Sequence, residues 1–162
     1  MIPDADSHID INIKGVWNAC KAVAPHIIAQ GAGSIVITSS VTGDLVADPG
    51  EVAYATTKAA LVGFTKALAR ELADKRVRVN CICPGYIRTP LVDGMARQSD
   101  PDDPERAIAA IASAVPLGRL GTPEECGELC AFLASDESSY LTGTQIVIDG
   151  GSTLPETSSM GQ

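Results

Sequence analysis

With 162 residues, 45% of them hydrophobic and 20% charged, the chain has the size and apolar content of one domain with a core of its own. A formal net charge of −8 argues against nucleic acid and anionic membrane as partners, because both select a basic surface. No stretch approaches the ~20 apolar residues of a membrane-spanning helix, and Met1-Ile2-Pro3-Asp4-Ala5-Asp6 has neither the basic nor the apolar region of a secretory signal, so a cytoplasmic protein is expected.

Residues 7–29 read as a helix, with Ile9, Ile13, Val16, Trp17, Cys20, Val23 and Ala24 recurring at the helical period until Gly31 and Gly33 end it. The run Ser34-Ile35-Val36-Ile37-Thr38 reads as a buried parallel strand. A loop over 39–51 leads into the strongest helix, 52–74. Its apolar residues (Ala59, Val62, Phe64, Leu68 and Leu72 among them) occupy more than one face, so burial on two sides is expected. Val77 to Cys83 form the next strand, stopped by Pro84-Gly85. A loop carries Arg88-Thr89-Pro90, and residues 98–104 read as an acidic, proline-containing surface insert. Helices follow over 104–114 and 123–135. Thr122 is the N-cap of the second, with Pro123 at its first position and Glu125 placed for a capping box. Gln145 to Ile148 form a last strand before Asp149-Gly150-Gly151, and the tail 152–162 is polar and expected to be flexible.

Strands alternating with helices imply a mostly parallel sheet, whose ligands bind beyond the carboxyl ends of the strands. Ser40, Pro84-Gly85 and Asp149-Gly150-Gly151 all fall at such ends. Tyr54 and Lys58 stand four apart and share one helix face. A positive charge held there favours phenolate over phenol, which suits a general acid/base. The five cysteines, Cys20, Cys81, Cys83, Cys126 and Cys130, are odd in number and show no disulfide framework. Neither close pair has the Cys-x2-Cys spacing of a zinc knuckle, so reduced thiols and no metal are expected.

In chain order the sequence carries Asn12-Ile13-Lys14-Gly15, Thr38-Ser39-Ser40-Val41-Thr42-Gly43, Tyr54-x-x-x-Lys58, Val79-Asn80-Cys81-Ile82-Cys83-Pro84-Gly85, and Tyr140-Leu141-Thr142-Gly143 leading to Ile146-Val147-Ile148-Asp149-Gly150-Gly151. Together these resemble the short-chain dehydrogenase/reductase family over nearly the whole chain. The resemblance implies an α/β, Rossmann-like doubly wound parallel sheet and hydride transfer between NAD or NADP and a small-molecule carbonyl or alcohol substrate. It implies Tyr54 as general acid/base and Lys58 as the cation that activates it and binds the nicotinamide ribose. Ser40 would hold the substrate oxygen; Ser39 is the weaker candidate, because the Ser-x-x-Gly phase sets Gly43 three after Ser40. Asn12 would lie where its helix opens locally and support Lys58 through a water. Pro84, Gly85, Ile87 and Thr89 would contact the nicotinamide half of the cofactor. Helices 7–29 and 52–74 resemble those that build the family's homodimer or homotetramer.

The sequence also departs from the family pattern. No glycine-rich turn follows an early strand, and the residue that selects NAD or NADP is absent. The expectation is a partial domain over 1–162, truncated at its N-terminus by on the order of 90 residues. The last three strands and their flanking helices would be retained, the 34–38 strand left as an edge, and activity impaired. Alternatives from other classes are a non-catalytic association fragment that keeps the two dimerisation helices, and a dehydratase or epimerase using the same Tyr54/Lys58 pair. A serine hydrolase is disfavoured because no Gly-x-Ser-x-Gly elbow surrounds Ser40. The loop from Ile87 to Pro116 would cover the pocket. Leu91, Val92 and Met95 suggest an apolar lining there, and Arg88 and Arg97 read as solvated surface before an anion site.

Overall fold

Strands β1 (Gly33–Thr38), β2 (Val77–Pro84) and β3 (Gln145–Ile148) pair in parallel in the order β1-β2-β3. The structure, a computed structural model, describes residues 5–154. Side chains alternate across a strand, and this chain uses both faces. The odd-numbered Ile35, Ile37, Val77, Val79, Cys81 and Cys83 pack against helices α2 (Val16–Gln30) and α3 (Val52–Leu72), whose Cys20, Leu61, Val62, Ala69 and Leu72 complete the main core. The even-numbered Ser34 and Arg78 turn to the other face. There Ser34 Oγ donates to Leu133 O at 2.8 Å and the Arg78 guanidinium donates to Leu133 O and Ser135 O, both 2.9 Å, at the end of helix α6 (Pro123–Ala134). Helices on both faces of a parallel sheet make the arrangement doubly wound. Among the described residues β1 and β3 are its two edges.

The first helical pattern is not uniform. A three-residue α1 (Asp6–His8) runs into a π-helical stretch, Ile9–Gly15, and only then into α2. Gly31, at φ 82°, closes α2 in the left-handed conformation. The segment after Arg88, expected as loop, is instead helix α4 (Pro90–Ser99): Thr89 caps it and Pro90 occupies its first turn, the ordinary start signal. Gly94 and the polar residues around it mask the period in the sequence. Across the insert, Asp100 accepts from the Arg106 guanidinium and the Asp103 N–H, which leads into α5 (Pro104–Ser113). Ala96, Ile108 and Leu120 bury a second, smaller cluster between α4, α5 and the chain that follows. The capping box of α6 is present in full, Thr122 and Glu125 each bonding the other's backbone N–H.

The carboxylate of Asp149 holds the chain beyond β3, accepting from Gly151 N at 2.9 Å, Ser152 Oγ at 3.1 Å and Thr153 N at 2.8 Å. The rest of the expected tail, 155–162, lies outside the described residues, as do 1–4. All five cysteines are free thiols, with Cys20, Cys81 and Cys83 buried. Among the described residues no helix is long and apolar enough to cross a membrane.

Candidate active site

Beyond the carboxyl end of β1 the backbone stays paired with β2: Ser39 N donates to Ile82 O at 2.8 Å and Val41 N to Pro84 O at 3.1 Å. Alternation along this extended segment sends successive serines in opposite directions. Ser39 is buried, and its hydroxyl donates to Lys58 O at 2.7 Å, which ties β1 to α3. Ser40 instead lines an open cavity of about 700 Å³, its Oγ accepting from Thr42 N at 3.1 Å. The next turn brings backbone against backbone. Gly43, at φ 114°, packs so closely on α3 that a Cβ would sit 2.3 Å from Ala55 O.

Tyr54, in the first turn of α3, lines the same cavity as Ser40. Lys58, one turn on, places its ammonium 5.6 Å from the centroid of the Tyr54 ring. That ammonium donates to Thr38 O at 3.3 Å, the last carbonyl of β1. Burial pushes the Lys58 pKa below the ordinary lysine value. A single acceptor leaves further protons on the ammonium for a ligand hydroxyl.

Asn12 sits in the π-helical stretch, a geometry that widens the turn and frequently marks functional sites. Its Nδ2 donates to Thr57 Oγ1 at 3.0 Å, and that hydroxyl in turn donates to Tyr54 O at 2.8 Å. The protein-only path from Asn12 therefore reaches the backbone between Tyr54 and Lys58 through Thr57, which is fully buried. Thr57 escaped the sequence reading. Its position one residue before Lys58, on the inward side of α3, was the available signal.

The four residues expected beyond β2 separate in space. Gly85 lines the cavity with Ser40 and Tyr54. The Pro84 carbonyl is held by Val41 N. Ile87 bridges to Gly121 and lines a smaller cleft of about 90 Å³ with Arg119 and Asp149. Thr89 Oγ1 accepts from Val92 N at 3.4 Å as the cap of α4. From α4, Leu91, Val92 and Met95 form an apolar wall of the main cavity. Arg88 is taken up by Asp93 and Glu105, and neither Arg88 nor Arg97 lines the cavity. The lining residues not anticipated include His8, edge-on to the Tyr54 ring at 6.3 Å, and the acidic Asp48 and Glu51.

Residues 3–153 match the family model described as enoyl-(acyl carrier protein) reductase. The oxidoreductase UcpA of Escherichia coli is 68% identical over 98% of this chain. The chain belongs to the short-chain dehydrogenase/reductase family. The 3-oxoacyl-[acyl-carrier-protein] reductase FabG of Thermotoga maritima is 47% identical over 91% of it. Among solved structures, Thermoplasma acidophilum aldohexose dehydrogenase superposes with a TM-score of 0.88 at 37% identity, covering 95% of this chain. Levodione reductase superposes with a TM-score of 0.85 at 34% identity over 93% of it. Members of this enzyme family carry the names oxidoreductase, reductase and dehydrogenase. The chain spans 60% of the length of UcpA and 61% of the aldohexose dehydrogenase chain.

Proposed function

We propose that this chain carries the catalytic residues of an NAD(P)-dependent oxidoreductase that interconverts a small-molecule carbonyl compound and its alcohol. One observation carries the reading: Ser40 and Tyr54 line a single cavity while the Lys58 ammonium lies over the Tyr54 ring. In the direction of reduction, the Tyr54 hydroxyl gives its proton to the substrate oxygen as negative charge develops there. Ser40 Oγ already accepts from Thr42 N, so its own proton is free to be donated to the same oxygen. The Lys58 cation stabilises the phenolate that remains. Asn12, through Thr57, holds the turn of α3 from which Tyr54 and Lys58 project, and supports Lys58 through a water.

The residues present fit the nicotinamide end of a dinucleotide, because Lys58 keeps unused donors beside an open cavity. Lys58 with Pro84, Gly85, Ile87 and Thr89 would hold that end, NAD and NADP being equally compatible with them. When bound, the nicotinamide supplies or accepts the hydride.

Titration of the chain with NADH and NADPH, followed by nicotinamide fluorescence, tests the reading. Saturable binding that Lys58→Ala weakens supports it. So does carbonyl-dependent cofactor oxidation that falls at least about a hundredfold in Tyr54→Phe. Equal turnover in Tyr54→Phe would overturn it.

A second reading, a non-catalytic association module, is favoured by a different surface. Trp17 is 56% exposed, packs its ring against Phe64 at 5.1 Å in a tilted pair, and with Cys20 and Leu68 borders an apolar groove of about 370 Å³ between α2 and α3. We infer that copies of this chain pair through α2 and α3 as a homodimer or homotetramer. Sedimentation at a smaller mass for Trp17→Glu supports that pairing, and an unchanged mass sinks it.

A further inference from the structure

The cavity that holds Ser40 and Tyr54 has an uneven lining. One wall is apolar, built by Leu91, Val92 and Met95 of α4. The lining also carries Asp48 and Glu51, and no lysine or arginine is among the described lining residues, the Lys58 ammonium lying at the Tyr54 ring. Glu51 is the unusual member. It occupies the N-cap position of α3, yet its side chain accepts nothing from the helix's free N–H groups. One of its carboxylate oxygens, Oε2, is buried with no hydrogen-bond partner. A buried unpaired carboxylate oxygen is expensive, and neither helix capping nor an ion pair explains this one. Glu51 precedes Tyr54 by three residues, at the N-cap of α3, and lines the same cavity.

We propose that Glu51 is a specificity-determining residue that selects carbonyl substrates bearing a hydrogen-bond donor, a hydroxyl or an ammonium, and rejects anionic ones. This rests on the oxidoreductase reading of the same cavity. A donor entering beside Tyr54 meets the Glu51 carboxylate on the cavity lining, and a hydrogen bond to a charged group is strong enough to set a preference of roughly tenfold. A substrate carboxylate or phosphate meets two carboxylates, Asp48 and Glu51, on the lining against the one ammonium of Lys58 at the Tyr54 ring, and like charges in a half-enclosed site repel. His8 and Tyr86 are the other titratable lining groups apart from Tyr54, and neither is a fixed cation. The apolar wall of α4 accepts the carbon skeleton. The substrate class is therefore a neutral or cationic hydroxy- or amino-carbonyl compound.

The test is an NMR titration of the isotope-labelled full chain with four small ketones: dihydroxyacetone, aminoacetone, butanone and pyruvate. The amides of Gly50, Glu51 and Tyr54 report binding. Dihydroxyacetone and aminoacetone are expected to saturate at concentrations roughly tenfold below butanone, with no saturation by pyruvate. Glu51→Gln should weaken aminoacetone about tenfold and admit pyruvate, while Glu51→Ala should also erase the advantage of dihydroxyacetone. If Glu51→Ala does not fold, the near-isosteric Glu51→Gln decides alone, its spectrum reporting the fold. No saturable shift with dihydroxyacetone or aminoacetone, or an order of ketones that Glu51→Gln leaves unchanged, overturns the proposal. Cofactor oxidation separates the two readings. Glu51-dependent binding without Tyr54-dependent oxidation of NADH or NADPH leaves this inference standing and removes the oxidoreductase reading. Tyr54-dependent oxidation with the same ketone order in wild type and Glu51→Gln does the reverse.

Discussion

The Asn12 amide donates to the Thr57 hydroxyl at 3.0 Å, and this bond fastens the π-helical stretch to the helix that carries Tyr54 and Lys58. Thr57 is fully buried and its hydroxyl is shared, accepting from Asn12 and donating to Tyr54 O. Thr57→Val keeps the shape and removes both bonds, leaving a half-buried amide unpaired. We expect a loss of about 1–2 kcal/mol in urea denaturation. The larger effect should fall on turnover, since the positions of Tyr54 and Lys58 depend on this turn. Unchanged kcat with lowered stability would confine Thr57 to a structural role.

Gly43 predicts a local break. Its φ of 114° is strained for any other residue, and a Cβ would meet Ala55 O at 2.3 Å and Ala59 N at 2.9 Å. Both are backbone atoms of α3, so neither can turn away. Gly43→Ala should cost at least about 2 kcal/mol and lift the 41–46 turn off α3, carrying the Ser40 segment with it. Thermal denaturation and the amide shifts of Ser40 and Thr42 read the two effects.

Lys58 sets the alkaline behaviour. Burial holds its folded-state pKa below the ordinary 10.5, so the folded chain releases this proton at a lower pH than the unfolded chain does. Between the folded value and 10.5 the unfolded state binds more protons, and stability rises with pH. The penalty of a buried charge is complete below that window and relieved above it. Lys58→Met should flatten this slope in urea midpoints measured up to pH 10.5, and a slope unchanged by the substitution counts against the assignment.

The acid limb has a different source. Glu125 is gripped by the Arg119 guanidinium at 2.6 and 2.9 Å and accepts from Thr122 N, which together hold its carboxyl at about 2. Its folded value lies below the ordinary 4.5, so the stabilisation is present above pH 4.5 and lost as pH falls from there toward 2. Glu125→Gln should remove that part of the acid dependence and loosen the start of α6. Circular dichroism across an acid titration of wild type and variant measures it.

Much of the fold was legible because its signals are local. Pro84-Gly85 stops β2, the Thr122–Glu125 box starts α6, and the alternation of Val77, Val79, Cys81 and Cys83 announces a buried strand face. Helix α4 was missed although Thr89-Pro90 is a start signal, because a ten-residue element with a glycine inside carries too little period to outweigh its polar surroundings. At the site, Tyr54 and Lys58 were visible as a spacing on one helix. The meeting of Tyr54 with Ser40 and Gly85 across a single cavity needed three segments from different parts of the chain.

The sequence by itself determined the alternating elements, their order and the side-chain types gathered at the strand ends, since periodicity, caps and turns are properties of neighbouring residues. Only the tertiary structure decided that Ser39 is spent on the Lys58 carbonyl, that Asn12 is bonded to Thr57, and that Glu51 lines the cavity while burying an unpaired oxygen. Each of those facts depends on the register between β1, α3 and the π-helical stretch. That register is set by burial summed over the whole core, which no local stretch of sequence contains.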